Sequence, residues 1–227
     1  MDFVIAPPEV PALPVLGTEA HFPVRRVYCI GRNYAAHAVE MGHDPDREPP
    51  FFFQKNPSDL DPVGWFPYPP GTTDVHHEVE VAVFLQSGGA DISEADALEH
   101  VFGYALALDM TRRDLQAEMK RLGRPWEIAK AFEHSAPVGP IHPADQIGHP
   151  ASGRIALSVN GALRQDGDLS QMIWKVPEMI AYLSTFTTLS AGDVILTGTP
   201  AGVGPVARGD RLEAMASGLG QLIVEVV

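Results

Sequence analysis

The chain has 227 residues, 45% of them hydrophobic and 20% charged, enough to bury one sizeable core or two small ones. Sixteen basic residues stand against 29 acidic ones, a formal charge of −13, and a body this acidic repels nucleic-acid backbones and anionic membrane surfaces. A single cysteine excludes an intramolecular disulfide and a Cys-rich zinc site, while 21 glycines and 21 prolines point to short strands and tight turns rather than a helical bundle.

In chain order, residues 1–25 are punctuated by proline and read as an extended strand-and-turn segment. Met1-Asp2-Phe3-Val4 carries an acid where a signal peptide needs bases, and no apolar run approaches the ~18 residues of a membrane helix, so the expected location is cytoplasmic. Residues 27–30 form a short apolar strand ending at Gly31, with Cys29 inside it as an inert thiol. Asn33 suits the N-cap of a helix over 34–41, with Gly42 as its stop. Residues 43–75 read as a long Pro-rich loop around a strand at 51–54; loops of that length make lids and site walls, and 40–50 is the expected lid.

A strand over 75–85, a polar turn at Gly88-Gly89 and a helical stretch near 94–100 lead into a strand over 102–110. Thr111-Arg112-Arg113-Asp114 reads as a capping box opening an amphipathic helix to Leu122, which Gly123 stops. A hairpin over 155–165 around Asn160-Gly161, a helix over 177–184, a strand over 193–197 and strands from Arg211 onward complete a single α+β, strand-dominated domain over 1–227.

The chemistry concentrates in His76-His77-Glu78-Val79-Glu80. Alternation puts His77, Val79, Val81 and Val83 on one face and His76, Glu78 and Glu80 on the other. Two carboxylates two residues apart repel unless a cation lies between them; the alternatives are a divalent ion on hard oxygen donors (Mg²⁺, Mn²⁺ or Ca²⁺) or a solvated strand face. Asp109 ends a strand whose odd positions are Gly103, Ala105 and Ala107, a face that is either a pocket floor or a surface on which another element packs. Arg113 and Gln116 share one face of the following helix, with Lys120 continuing it; they are substrate anchors or the solvated side of the helix, and Lys120 fits the solvated side better. His37 and Glu40, three apart, can polarise a water as a general base or form a surface ion pair. Lys130, a lone base among apolar residues, must find an anionic partner. Leu196-Thr197-Gly198-Thr199-Pro200 lacks the Gly-Lys-Ser/Thr ending of a phosphate loop, leaving a turn that offers Thr199 and backbone N–H groups to an anion.

Gly31-Arg32-Asn33-Tyr34-Ala35-Ala36-His37, His77-Glu78-Val79-Glu80, Gly103-Tyr104 through Asp109-Met110-Thr111-Arg112-Arg113-Asp114, and Leu196-Thr197-Gly198-Thr199-Pro200 together resemble the fumarylacetoacetate hydrolase family, from about Val27 to the C-terminus. Gly42-His43-Asp44-Pro45-Asp46-Arg47 and Glu48-Pro49-Pro50-Phe51-Phe52-Phe53 resemble its short acylpyruvases of fumarylpyruvate-hydrolase type. The resemblance implies a mixed β-sandwich or β-roll, a homodimer, and a single catalytic domain over 1–227 whose family-matching core is 26–227. It also implies a divalent ion (Mg²⁺ or Mn²⁺, with Ca²⁺ an alternative) on Glu78, Glu80 and Asp109. His37 and Glu40 would activate water, Lys130 would stabilise developing charge, and Arg113, Gln116, Thr199 and Lys55 would contact a 2,4-diketo acid. The implied reaction cleaves the C3–C4 bond of fumarylpyruvate to fumarate and pyruvate, as in gentisate-type aromatic catabolism. Oxaloacetate decarboxylation or dienoate isomerisation in the same family, and a non-catalytic metal-stabilised scaffold, are the alternatives. Lys55 precedes Asn56-Pro57 where a Lys-Pro pair is commoner.

Overall fold

The computed structural model describes residues 2–40 and 49–227; the expected helix stop at Gly42, the 42–47 stretch and most of the 40–50 lid lie outside the described residues. A six-stranded mixed sheet runs in the order His142–Pro143, Val101–Leu108, Val79–Leu85, Asp193–Leu196, Arg26–Gly31, Phe51–Lys55. Its neighbours are antiparallel except for the parallel pair Asp193–Leu196 and Arg26–Gly31. A five-stranded sheet, Ala162–Asp168, Arg154–Val159, Arg211–Ala216, Gly220–Val226, Trp65–Phe66, packs against one face. Every residue of Val79–Leu85 is buried, so both faces of the central sheet are covered. Val79, Val81, Val83 and Leu85 meet Ile155, Leu157, Leu212 and Val224 of the second sheet. Ala82 and Phe84 point the other way, into a second core with Leu13, Val15 and Phe22 near the N-terminus and Ala136, Val138 and Ile141. The expected strand-dominated sandwich is therefore present, and each aliphatic side chain buried in it contributes ~1.5–3 kcal/mol.

Three local expectations are corrected. The strand over 75–85 is divided at Glu78. Val75–His77 lies in a separate sheet between Thr111–Arg112 and Gly204–Val206, and pairing with the central sheet resumes only at Val79. Thr111 does not open a capping box, because it sits in that strand pair; the helix is Arg113–Leu122, with Arg112 at its N-cap. Asn33 does not cap the helix Ala35–Glu40 with its side chain: the amide donates to Trp174 O (2.9 Å) and Thr197 O (2.8 Å) and accepts from Trp174 N (2.7 Å).

The small-residue face of Val101–Leu108 is a packing surface over most of its length. A Cβ on Gly103 would lie 2.4 Å from His142 O, and Ala105 and Ala107 pack in the second core. Its Asp109 end opens towards the pocket that holds the acids. Elsewhere the turn chemistry behaves as read. Gly123 takes φ 63° at the helix stop, and Asn160 (φ 51°) and Gly161 (φ 77°) supply the left-handed pair of a tight hairpin. No helix among the described residues is long and apolar enough to cross a membrane.

Candidate active site

The break at Glu78 is what assembles the site. There the Asp109 N–H donates to Glu78 O (2.8 Å), joining the end of Val101–Leu108 to the gap between two sheets. Glu80, two residues on, lies opposite Ala107, whose small side chain leaves room beside it. Glu78, Glu80 and Asp109 are all buried, and one carboxylate oxygen from each lies within 4.8 Å of the others. The pocket above them is also lined by His37, Arg113, Gln116, Lys130, Gly198 and Thr199, and by Arg32, Phe51, Phe53, Lys120 and Trp126.

Three cations accompany the three acids. Lys130 Nζ donates to Glu78 Oε2 (2.8 Å), Asp109 Oδ2 (2.6 Å) and Thr111 Oγ1 (2.6 Å), so the lone base has found its partners. Arg113 pairs with Glu78 Oε1 and also donates to Gln116 Oε1 (2.7 Å). Lys55 Nζ stands 2.9 Å from Asp109 Oδ1, off the hydrogen-bonding direction, so among the described residues that oxygen has an ion-pair partner but no hydrogen bond. Burial opposes charge on Glu78, yet Lys130 and Arg113 outweigh it and hold the carboxyl well below its usual range. Burial likewise opposes charge on Lys130, and Asp109 and Glu78 prevail to raise its pKa. Glu80 goes the other way: burial, then the negative charges of Asp109 and Glu78, push it well above the usual carboxylate range. Negative charge is thus least balanced at Glu80. Hard oxygen donors, close approach and an uncompensated acid are what a divalent cation site requires, and these residues fit one.

The loop after Asp193–Leu196 directs its backbone N–H groups at acids of this same chain. Gly198 N donates to Glu80 Oε2 (2.8 Å), and Gly202 N to both oxygens of Glu40 (3.1 Å each). Both glycines have φ near 90° (90° and 94°), and a Cβ would lie 2.7 Å from Asn33 Cβ at Gly198 and 2.0 Å from Arg164 O at Gly202. Glu40 Oε2 in turn meets His37 Nδ1 at 3.2 Å, which leaves the other ring nitrogen of this pocket-lining histidine for a water.

Two expected substrate contacts sit differently from the reading. Lys55 does not line the pocket. It is buried behind Asp109, where it donates to Ser135 Oγ (2.9 Å), Ser135 O (3.1 Å) and Lys130 O, so it braces the triad from below. Thr199 reaches the pocket wall, but its hydroxyl donates to Val79 O (2.8 Å) and accepts from Gln165 Nε2 (2.8 Å). Gln165, fully buried and overlooked in the sequence, also accepts from Val79 N (3.1 Å), meets His77 Nδ1 at 2.9 Å and donates to Pro200 O (2.9 Å), pinning the Glu78 break to the 198–204 loop. Arg32 in the pocket was missed as well, and Lys120, which reads as the solvated continuation of the Arg113 and Gln116 face, lines the pocket instead. Cys29 is buried and lies outside the pocket, its thiol pushed well up by burial.

Similarity to known proteins agrees with this geometry. The crystal structure of fumarylpyruvate hydrolase from Pseudomonas aeruginosa in complex with Mn²⁺ and pyruvate is 52% identical, covers 100% of this chain and 99% of its own, and superposes with a TM-score of 0.98. A putative fumarylpyruvate hydrolase from Burkholderia cenocepacia is 50% identical over 100% of this chain and 98% of its own, with a TM-score of 0.93. An oxaloacetate tautomerase of Escherichia coli is 43% identical over 89% of this chain and 93% of its own. The model for the fumarylacetoacetate (FAA) hydrolase C-terminal region matches residues 26–227, the stretch that carries both sheets and every residue of the pocket. The chain belongs to the fumarylacetoacetate hydrolase family.

Proposed function

We propose that this chain hydrolyses the C3–C4 bond of a 2,4-diketo acid of fumarylpyruvate type, yielding fumarate and pyruvate, with one catalytic domain over 1–227 whose family-matching core is 26–227. The observation that supports it is a His37–Glu40 pair set at the same pocket as a buried cluster of three carboxylates. Glu78, Glu80 and Asp109 would hold Mg²⁺ or Mn²⁺. Bound there, such an ion supplies Lewis-acid polarisation of the oxo acid's carboxylate and 2-oxo oxygens.

His37 takes a proton from water while Glu40, fixed by the Gly202 N–H, orients the ring and stabilises its charged form. The water oxygen bonds to C4, and the C3–C4 bond breaks with its electron pair left on C3. Protonation of C3 completes pyruvate, so one water is consumed and the C4 fragment leaves as fumarate. Lys130 offsets the negative charge that develops on the pyruvyl half, and Arg113 with Gln116 orients it. Lys55 positions Asp109 and Thr199 shapes the wall.

A second reading, proton transfer at the carbon beside the 2-oxo group, is favoured by the oxaloacetate tautomerases of Escherichia coli (43% identical) and Arabidopsis thaliana (41% identical). That reaction needs no attacking water. Pyruvate release from fumarylpyruvate and enol–keto conversion of oxaloacetate, measured side by side with Mn²⁺, separate the two. Glu40→Gln is expected to keep Mn²⁺ binding and lose hydrolysis by ~100-fold or more, whereas Glu78→Ala loses metal and turnover together. Wild-type turnover of fumarylpyruvate by Glu40→Gln contradicts the water-activation role. The reading includes a homodimer in the cytoplasm; sedimentation velocity tests the assembly.

A further inference from the structure

Two cations of the pocket have no part in the hydrolysis as described. Arg32 is held at φ 60°, a left-handed conformation that non-glycine residues adopt at a cost. The neighbouring Asn33 amide, fastened to Trp174 and Thr197, keeps it there. Its guanidinium lies 5.3 Å from the centre of the Phe51 ring, and its buried Nε has no hydrogen-bond partner among the described residues. Phe51 packs edge-on against Trp126 (centroids 5.3 Å apart, 88° between planes), and Lys120 Nζ lies 4.9 Å over the Trp126 ring. The two cations therefore flank one aromatic pair on one pocket wall, and among the described residues neither forms an ion pair with a carboxylate.

We propose that Arg32 and Lys120 form an anion clamp that takes a second carboxylate at the far end of the substrate, so that the site selects long-chain 2-oxo diacids. This rests on the proposed function and extends it from reaction to specificity. Lys120 follows Arg113 by seven residues on one helix, ~10 Å along its axis. An oxo acid oriented at Arg113 and Gln116 and seven carbons long can bring a terminal carboxylate to the clamp. In a four-carbon acid such as oxaloacetate the second carboxylate stays beside the triad. Burial, with the charges of Arg113 and Arg32, lowers the Lys120 pKa to about 8, so an arriving carboxylate relieves repulsion that already exists.

The test is calorimetric titration of the full chain, with Mn²⁺ present, with 2-oxoheptanedioate and with 2-oxoheptanoate. These probes differ only in the terminal carboxylate, and neither has the 4-oxo group that cleavage requires. The wild type is expected to bind the diacid about tenfold or more tightly, the increment of a charge-assisted contact. Lys120→Met and Arg32→Gln should each cut that ratio several-fold, the pair should abolish it, and Lys120→Arg should retain most of it. Lys120 lies on the partly exposed side of its helix, so its variants test the clamp even if Arg32→Gln folds poorly. Equal binding of the two probes by the wild type, or an unchanged ratio in Lys120→Met, overturns the clamp. A wild type that prefers the diacid yet leaves fumarylpyruvate intact overturns the hydrolase reading alone; one that hydrolyses it without the preference overturns the clamp alone.

Discussion

Replacing Lys130 with methionine keeps the apolar stem and removes an ammonium that donates to Glu78 Oε2 (2.8 Å), Asp109 Oδ2 (2.6 Å) and Thr111 Oγ1 (2.6 Å). Lys130, Glu78 and Asp109 are buried, so bulk water cannot step in as a donor. Each charge-assisted bond is worth ~1.5–3 kcal/mol, and removing one partner of a buried ion pair costs ~3–5 kcal/mol. The expected loss is the latter figure, about 3–5 kcal/mol, because Arg113 still holds Glu78 and Lys55 still faces Asp109. Urea unfolding of wild type and variant in chelator measures it. Adding Mn²⁺ restores positive charge to the cluster, so metal is expected to stabilise the variant more than the wild type. A variant within about 1 kcal/mol of wild type in chelator, with an identical metal response, refutes the charge-balance reasoning.

Gly198→Ala places a Cβ 2.7 Å from Asn33 Cβ at φ 90° and draws the N–H away from Glu80; a lower melting temperature and a Mn²⁺ affinity reduced at least several-fold are expected, by calorimetric scanning and titration. Gln165→Leu keeps the bulk but strips bonds to His77, Val79, Thr199 and Pro200; a loss of ~2–3 kcal/mol in urea unfolding checks its bracing role. The preference for the long diacid should also depend on pH. Lys120 is surrounded by Arg113, Arg32, Lys130 and Glu78 and has its pKa lowered to about 8, so it loses its charge as pH rises through that value. The ratio of the two Kd values should therefore fall between pH 7 and 9 in the wild type and stay flat in Lys120→Arg, whose guanidinium remains protonated.

The acids were readable because a strand's period of two and a strand's end are local facts. Glu78 and Glu80 share a side of any extended segment, and Asp109 closes a run of small residues. What was not local was lost. The division at Glu78 depends on strands at Thr111–Arg112 and Gly204–Val206 taking one side of it and Val101–Leu108 the other. Gln165 stands between exposed Arg164 and Asp166 in a hairpin that reads as surface, and its partners lie up to 88 residues away in the chain. Lys120 reads as a solvated helix residue because a charge pattern does not say which neighbour covers the face; Trp126 and Arg32 do that only in the folded chain. Lys55 is the converse, a lysine expected at the substrate that tertiary packing places behind Asp109.

Isotope labelling addresses water attack at C4 most directly. Turnover of fumarylpyruvate in H₂¹⁸O with Mn²⁺ is expected to give fumarate and pyruvate in equal amounts, with one labelled oxygen in a fumarate carboxylate and none carried into the pyruvate carboxylate. Unlabelled fumarate, or no cleavage at all alongside rapid enol–keto conversion of oxaloacetate, contradicts the hydrolytic account.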